Sequence, residues 1–302
     1  MKPEEQKIKD SLKHGTRKEI ESPWRIVWRR FRKNKLAVFG FFMLLILALS
    51  SIFAPYIAPY SLEEIDWSAM DMGPSKKHIL GTDILGRDIF SRLLYAGRIS
   101  LTVGLVAQSI SIVLGTILGC LAGYYGKWID TLIMRLVDMF NSFPFLLLAI
   151  TVVSVLGASI YNVMLVIGVL GWTGTCRLVR GEFLSLRNQE FVESARALGA
   201  TDFRLIFTHM LPNSIAPILV SATLGVGGAI MTEAALSYLG LGVQPPTPSW
   251  GNMLQAANDI LILESKPWLW IPPGLCILLA VLSINFLGDG LRDALDPKTQ
   301  ID

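Results

Sequence analysis

The chain has 302 residues, of which 52% are hydrophobic and 17% are charged, and its formal net charge is +3. Soluble domains carry about 25% charged residues, so this composition indicates a membrane protein and argues against a soluble domain. The distribution of Lys and Arg along the chain does not indicate a nucleic-acid-binding surface, so no nucleic-acid partner is expected. Three cysteines, Cys120, Cys176 and Cys276, fall in apolar segments without metal-ligand spacing, and we interpret them as packing residues.

The first 35 residues are polar and basic and end in WRIVWRRFRKNK. A polar stretch of this length before the first apolar run is atypical of a cleavable signal peptide, so that run is expected to stay in the mature protein. The basic, aromatic end of the stretch is expected to lie on the membrane surface as an anchor for the first span. A regulatory or partner contact is the alternative.

Six apolar stretches are long enough, or nearly so, to cross a membrane, since a span needs about 20 mostly apolar residues. They are 36–57, 99–122, 132–156, 160–176, 213–236 and 268–288. We therefore predict an all-α membrane protein with six transmembrane helices. Its predicted parts are a basic N-terminal segment over 1–35, a first helix and external loop over 36–98, a core of five helices over 99–291 and a tail over 292–302.

The distribution of Lys and Arg predicts the orientation of these spans. Twenty of them lie in the first 35 residues, the 123–130 and 177–212 loops and the tail, against six in 59–98 and 237–267. Because positive charge is retained on the cytoplasmic side, both termini and the 177–212 loop are predicted to be cytoplasmic.

Small residues recur at every fourth position of the second span and favour close approach of a second helix. They are Ala107, Ser111, Gly115, Gly119 and Gly123. The sequence leaves open whether the facing helix belongs to this chain or to another subunit.

Few ionisable side chains lie inside the spans. Arg135 and Asp138 are three residues apart and are expected to pair or to reach the interface, with a proton relay or gating pair as the alternative. Glu233, near the outer end of the fifth span, is the best single candidate for touching substrate; a capping or interhelical hydrogen bond is the alternative. Asp88 is expected to cap the helix that enters the second span.

Residues 181–212 are charged but too regular for a free loop. EFLSLRNQEFVESARAL places apolar residues near helical spacing. Gly199 follows at the position where a left-handed helix cap favours glycine. Thr201 or Asp202 can cap a second short helix, and Pro212 suits the first turn of the next span. We predict two short helices with a bend between them, exposed in the cytoplasm.

The pattern E-x-A-x-x-x-G, nine further residues and then a hydrophobic-x-Leu-Pro ending resembles the cytoplasmic signature loop of binding-protein-dependent ABC importer permeases. Here it reads Glu193, Ala195 and Gly199, followed by 209–212; Ser194 replaces the typical alanine, and the residue at 209 is a histidine where isoleucine is typical. The resemblance implies a type I ABC importer permease fold, in which this loop is a coupling helix that docks in a cleft of the ATP-binding subunit. The implied coupling residues are Glu193, Ser194, Ala195, Gly199, Ala200 and Asp202.

Three further stretches are similar to the second permease of the oligopeptide, dipeptide and nickel importer group. They are HILGTDILGRDIFSRLLYAGRISLTVG at 78–104, SYLGLGVQPPTPSWGNML at 237–254 and GDGLRDALDP at 288–297. The resemblance implies oligopeptides or dipeptides as cargo, with nickel or another small peptidic solute such as glutathione as the alternative.

The same resemblance implies the partners. They are a homologous second permease, two ATP-binding subunits that hold ATP and Mg, and an extracytoplasmic binding protein, all at a prokaryotic cell membrane and in contact with its lipid. This chain itself is expected to hold no cofactor or metal.

Two other functional classes fit the residues less well. An ion-coupled secondary transporter needs carboxylates or histidines inside its spans, and these spans are almost free of charge. A membrane-embedded enzyme needs a catalytic or ligand motif. His14, His78 and His209 have no ligand spacing, and neither G-x-S-x-G nor G-x-x-x-x-G-K-[ST] occurs. The chain is therefore expected to be a non-catalytic subunit energised by separate ATPases.

Overall fold

The computed structural model describes residues 23–295, so the predictions for residues 1–22 and for 296–302 lie outside the described residues. Within 23–295 every regular element is a helix. In chain order the α-helices are α1 Pro23–Lys33, α2 Lys35–Ile52, α3 Ala54–Ile57, α4 Ile89–Tyr125, α5 Lys127–Asn141, α6 Phe145–Leu156, α7 Ile160–Leu186, α8 Glu190–Ala197, α9 Asp202–Arg204, α10 Leu211–Tyr238, α11 Trp250–Leu254, α12 Ile260–Ser265 and α13 Pro267–Leu295. A π-helix, Leu205–Met210, joins α9 to α10.

The described helices confirm the prediction of an all-α membrane protein. Five of them are long and apolar enough to cross a membrane: α2, α4, α7, α10 together with its preceding turn, and α13. The predicted third span is a bent pair, since α5 and α6 meet at 85°, and counting this pair as one span gives six. Pro144 lies immediately before α6, and a proline disfavours a helical conformation at the residue before it, so the bend falls here.

The second, fourth, fifth and sixth predicted spans are shorter than the observed helices, because a hydropathy count stops at charged residues that the fold accommodates. The fourth continues to Leu186 in α7, where two basic residues past position 176 pair with α5. Arg180 Nη2 donates to Asp130 Oδ2 at 2.7 Å, and Arg177 Nη2 donates to Asp138 Oδ1 at 2.8 Å. The partner of Asp138 is therefore Arg177 on the neighbouring helix.

The small residues of α4 face α7 of the same chain, which answers the question left open by the sequence. A Cβ added to Gly119 would lie 2.7 Å from the carbonyl oxygen of Cys176, and one added to Gly123 would lie 2.5 Å from Phe183 Cβ. Glycine at these positions lets the two backbones approach closely. The α4–α7 pair is thus the centre of the helix bundle.

The N-terminal end of α4 is held by polar contacts from the segment that precedes it. Asp88 caps the helix as predicted, because the backbone N–H of Ser91 donates to its Oδ2 at 2.7 Å. Lys77 Nζ donates to Asp66 Oδ2 at 2.5 Å, and this contact holds the pKa of Asp66 well below its ordinary value of 3.8. The segment between α3 and α4 contains one short 3-10 helix, Trp67–Ala69. It is anchored to the start of α4, because the backbone N–H of Tyr60 donates to Ser91 Oγ at 3.2 Å and His78 Nδ1 lies 2.9 Å from Asp88 Oδ1.

Candidate functional site

The predicted coupling loop, residues 181–212, lies at the C-terminal end of α4. It consists of the end of α7, a short link, α8, a bend, α9 and the π-turn. The predicted second short helix is not separate, because residues Asp202–Tyr238 form one continuous 37-residue helix. Pro212 cannot donate the backbone hydrogen bond that an α-helix needs, and the wider π-turn just before it accommodates this loss without ending the helix.

The bend between α8 and α9 has the geometry that its glycine predicted. Gly199 has φ +83°, a conformation that residues with a side chain rarely adopt. The N–H of Ala200 donates to the carbonyl of Ala195 at 3.1 Å, which closes the end of α8. Thr201 is the cap of α9, since the N–H of Arg204 donates to its hydroxyl at 3.4 Å. The chain therefore turns here in a defined conformation.

The coupling loop is packed firmly against the helix bundle. Val192 of α8 and Met210 of the π-turn are fully buried, and so is Phe183 of α7, against which they pack. Cys120 of α4 belongs to the same cluster. Each fully buried side chain of this kind stabilises the packed state by about 1.5–3 kcal/mol relative to an exposed one. The loop therefore shares one apolar cluster with α4 and α7.

The predicted coupling residues meet at the tip of this loop but do not all face outward. Glu193, Ser194, Gly199 and Asp202 are exposed. Ala195 and Ala200 are half-buried against the cluster under the loop, so they set its packing and its close turn.

Three exposed apolar side chains at the tip were not identified from the sequence. Leu198 is 89% exposed, Phe203 is 71% exposed and Phe207 is 51% exposed. The rings of Phe203 and Phe207 lie 4.4 Å apart, one helical turn from each other. Exposed apolar patches mark surfaces that contact another protein or the membrane. The i, i+4 spacing of the two phenylalanines was the available signal.

Glu233 lies at the opposite end of the bundle in a buried polar cluster. Its Oε2 accepts a hydrogen bond from Ser100 Oγ at 3.1 Å, and its Oε1 accepts one from Ser237 Oγ at 2.7 Å. Ser100 Oγ in turn accepts from the backbone N–H of Trp250 at 3.1 Å. The carboxyl group thus joins α10, α4 and α11, and substrate contact by Glu233 stays a prediction that would require these helices to separate.

Comparison with known families agrees with this architecture. Residues 115–301 match the family described as binding-protein-dependent transport system inner membrane component. Residues 22–74 match the N-terminal TM domain of oligopeptide transport permease C.

Several characterised proteins are similar over nearly the whole chain. The dipeptide transport system permease protein of Alkalihalophilus pseudofirmus is 48% identical over 277 residues, which cover 92% of this chain and 90% of that protein. The glutathione transport system permease protein of Pectobacterium atrosepticum is 46% identical over 283 residues, or 93% of each chain.

Among solved structures, an inward-facing conformation of the MetNI methionine ABC transporter superposes with a TM-score of 0.56. The superposition covers 68% of this chain and 96% of that chain at 17% identity, which shows a shared fold. The family match extends over more than half of the chain, and the relatives match it almost from end to end. The chain therefore belongs to the family of inner membrane components of binding-protein-dependent transport systems.

Proposed function

We propose that this chain is the transmembrane permease subunit of an ATP-driven importer. With a homologous second permease it forms the pathway for oligopeptides or dipeptides that an extracytoplasmic binding protein delivers. The observation that carries this proposal is the coupling loop, which is packed rigidly on the bundle while Leu198 and Phe203 remain exposed at its tip. The relative named as a dipeptide permease supports the cargo.

In this proposal ATP hydrolysis takes place in two separate subunits that bind ATP and Mg, and this chain is not catalytic. The exposed apolar tip inserts into a cleft of one of those subunits, since burying Phe203 and Leu198 there removes apolar surface from water. Glu193 and Ser194 lie on the exposed face of α8 and contact the wall of the same cleft. Asp202 and Ala200 hold the bend in shape.

The excess of Lys and Arg in the N-terminal segment, the coupling loop and the tail supports cytoplasmic placement of these parts in a prokaryotic cell membrane. That orientation puts the coupling loop in the compartment that contains ATP. The segment between α3 and α4 and the segment from α11 to α12 then face the binding protein.

Sequence identity to glutathione permeases supports glutathione as a second candidate cargo. The glutathione permeases of Pectobacterium atrosepticum and Escherichia coli O6:K15:H31 are each 46% identical to this chain. Uptake of a radiolabelled dipeptide and uptake of radiolabelled glutathione, measured in parallel, separate the two. Uptake of the dipeptide alone identifies a peptide importer, and uptake of glutathione alone favours the second cargo.

The docking of the ATP-binding subunits is tested with Phe203→Ser in the complete transporter, expressed with all its subunits. We expect recovery of the ATP-binding subunits in a pull-down through this chain to fall about 10-fold, and dipeptide uptake to fall with it, because the substitution removes a central apolar contact. Trp67→Ser is the control for the pull-down, since Trp67 is a similarly exposed aromatic residue at the opposite end of the helix bundle. Full recovery with Phe203→Ser would contradict the proposed docking surface.

A further inference from the structure

A cavity of about 310 Å³ lies beside the N-terminal end of α4, at the opposite end of the bundle from the coupling loop. Four parts of the chain form its wall: the turn before α4, the first turn of α4, the loop before α11, and the segment from α11 to the start of α13. The cavity is separate from the coupling loop and from the cluster around Glu233.

The unusual residue in this wall is Arg92. Its side chain is buried, with the whole residue 7% exposed, and its Nη1 has no hydrogen-bond partner among the described residues. The nearest carboxylate is Asp83, whose Oδ2 lies 3.9 Å from Arg92 Nε, too far for a hydrogen bond. That carboxylate already accepts from Arg87 Nε at 2.7 Å. Burying a guanidinium without a hydrogen-bonded acceptor costs folding free energy, and a ligand that supplies the acceptor would offset that cost.

The charges around Arg92 favour an anion. Arg87 and Arg92 face one carboxylate, Asp83, so this wall of the cavity has an excess of one positive charge. A guanidinium presents parallel N–H donors that match a carboxylate in a two-point contact. The available donor at Arg92 therefore fits a carboxylate better than a neutral group.

The rest of the wall limits the remainder of the ligand. Asn252 and Gln255 add side-chain amides to the lining, and apolar side chains from both α4 and the α11–α13 segment line the cavity as well. These are Ile89, Met253, Ile262 and Leu269. The volume lies at the lower end of the range of small-molecule sites, about 300–1,000 Å³. The cavity thus combines a buried cation with apolar surface in one wall.

We propose that this cavity binds a small molecule in which a carboxylate adjoins an apolar side chain, and that Arg92 binds the carboxylate. This is the chemistry of a free amino acid and of the C-terminal residue of a peptide. Assigning the ligand to the C-terminus of the transported peptide rests on the proposed function; recognition of a carboxylate by Arg92 does not. Under that assignment the site receives cargo as the binding protein releases it.

The test uses the complete transporter, purified without its binding protein and placed in phosphatidylcholine nanodiscs, so that no other protein selects the ligand. The probes are N-acetyl-L-leucine and N-acetyl-L-leucinamide, which differ only in the carboxylate. We expect the acid to bind at least 10-fold more tightly than the amide by titration calorimetry and to raise the midpoint of thermal unfolding. An L-alanyl-L-leucine arm, compared with free L-leucine, shows whether the preferred source of the carboxylate is a peptide or an amino acid.

Variants identify the residue that binds. Arg92→Met is expected to weaken binding of the acid at least 10-fold and to remove the difference between acid and amide. Arg92→Lys keeps the charge but loses the two-point geometry. Its affinity for the acid is expected to lie between those of the parent and of Arg92→Met. Lys76→Met removes an exposed positive charge from the same end of the helix bundle, and this variant is expected to bind the acid as tightly as the parent.

Three results would overturn the proposal. They are equal affinity for acid and amide, parental affinity in Arg92→Met, or a large loss of thermal stability in both Arg92 variants without ligand, which would make Arg92 a structural residue. A failure of the proposed function is recognised separately, because a coupling-loop variant such as Gly199→Val is expected to keep acid binding.

Discussion

The hydroxyl group of Tyr124 donates a hydrogen bond to Asp202 Oδ1 at 2.6 Å. Tyr124 lies in the last turn of α4, and Asp202 is the first residue of α9. This contact joins the central helix of the bundle to the residue that follows the bend of the coupling loop. It adds a polar contact to the apolar cluster under the loop, against which the Tyr124 ring also packs.

Tyr124→Phe removes this hydrogen bond and keeps the ring. A hydrogen bond to a charged group contributes about 1.5–3 kcal/mol when it is shielded from water, and less here because Asp202 is exposed. We expect amide hydrogen exchange of residues 198–204 to become roughly 5-fold faster. Tyr125→Phe is the matched control, because Tyr125 is adjacent and packs on Tyr124 without a side-chain hydrogen bond in the described structure. Equal exchange in both variants would mean that the contact does not hold the bend.

Gly199→Val tests whether the bend couples the loop to the ATP-binding subunits. A Cβ at Gly199 meets nothing within 4 Å, so the variant acts through the backbone conformation alone, at a cost of about 1–2 kcal/mol or more for a β-branched residue. We expect normal membrane levels, lost peptide uptake and weaker recovery of the ATP-binding subunits, with Glu193→Ala milder in the same direction.

Gly157→Val is the control for that experiment. Gly157 has φ +88° and also has open space around a Cβ, but it lies between α6 and α7, outside the coupling loop. Its recovery of ATP-binding subunits is expected to match the parent. If both glycine variants lose the ATP-binding subunits to the same degree, general destabilisation is the cause.

Gly119→Leu is expected to separate α4 from α7. The added side chain would meet a backbone carbonyl of α7, which cannot move aside, and overpacking of this kind costs about 1–3 kcal/mol. We expect the yield of monodisperse protein in size-exclusion chromatography to fall several-fold. Val113→Leu is the control, because Val113 lies on another face of α4 and is 56% exposed. Similar yields would remove the packing argument.

Cysteines at Ser75, Gln244 and Asn188 test the orientation in the membrane. All three positions are exposed, and the native cysteines are buried or half-buried, so background labelling is expected to be low. In intact cells an impermeant thiol reagent should label the first two and leave Asn188 unlabelled until the cells are opened. Labelling of Asn188 from outside would reverse the proposed topology.

Much of the fold was predictable because its signals are local. Apolar stretches of span length, a capping aspartate before α4 and a glycine after α8 each depend on neighbouring residues only. The lengths of α4 and α7 were not predictable in this way. Arg177 and Arg180 lie within α7 because carboxylates of α5 pair with them, and a single sequence does not show which helices are neighbours.

The candidate site shows the same difference between features that depend on neighbouring residues and contacts between distant parts of the chain. The conformation at Gly199 and the cap at Thr201 follow from residue type, so the sequence was sufficient for them. The contact of Asp202 with Tyr124 joins residues 78 positions apart, and the unpaired guanidinium of Arg92 is apparent only once the surrounding wall is known. Long-range polar contacts carry no periodicity, and for that reason they were missed.

The continuity of residues Asp202–Tyr238 has a mechanical consequence. A helix of this length extends for about 55 Å and acts as a lever, so a tilt of about 5° at the coupling loop moves its far end by roughly 5 Å. The far end carries Glu233, whose hydrogen bond to Ser100 of α4 is 3.1 Å long. That bond does not survive such a displacement unless α4 moves with α10. A small rotation of α10 alone at the coupling loop is therefore expected to separate α10 from α4 at the other end of the bundle.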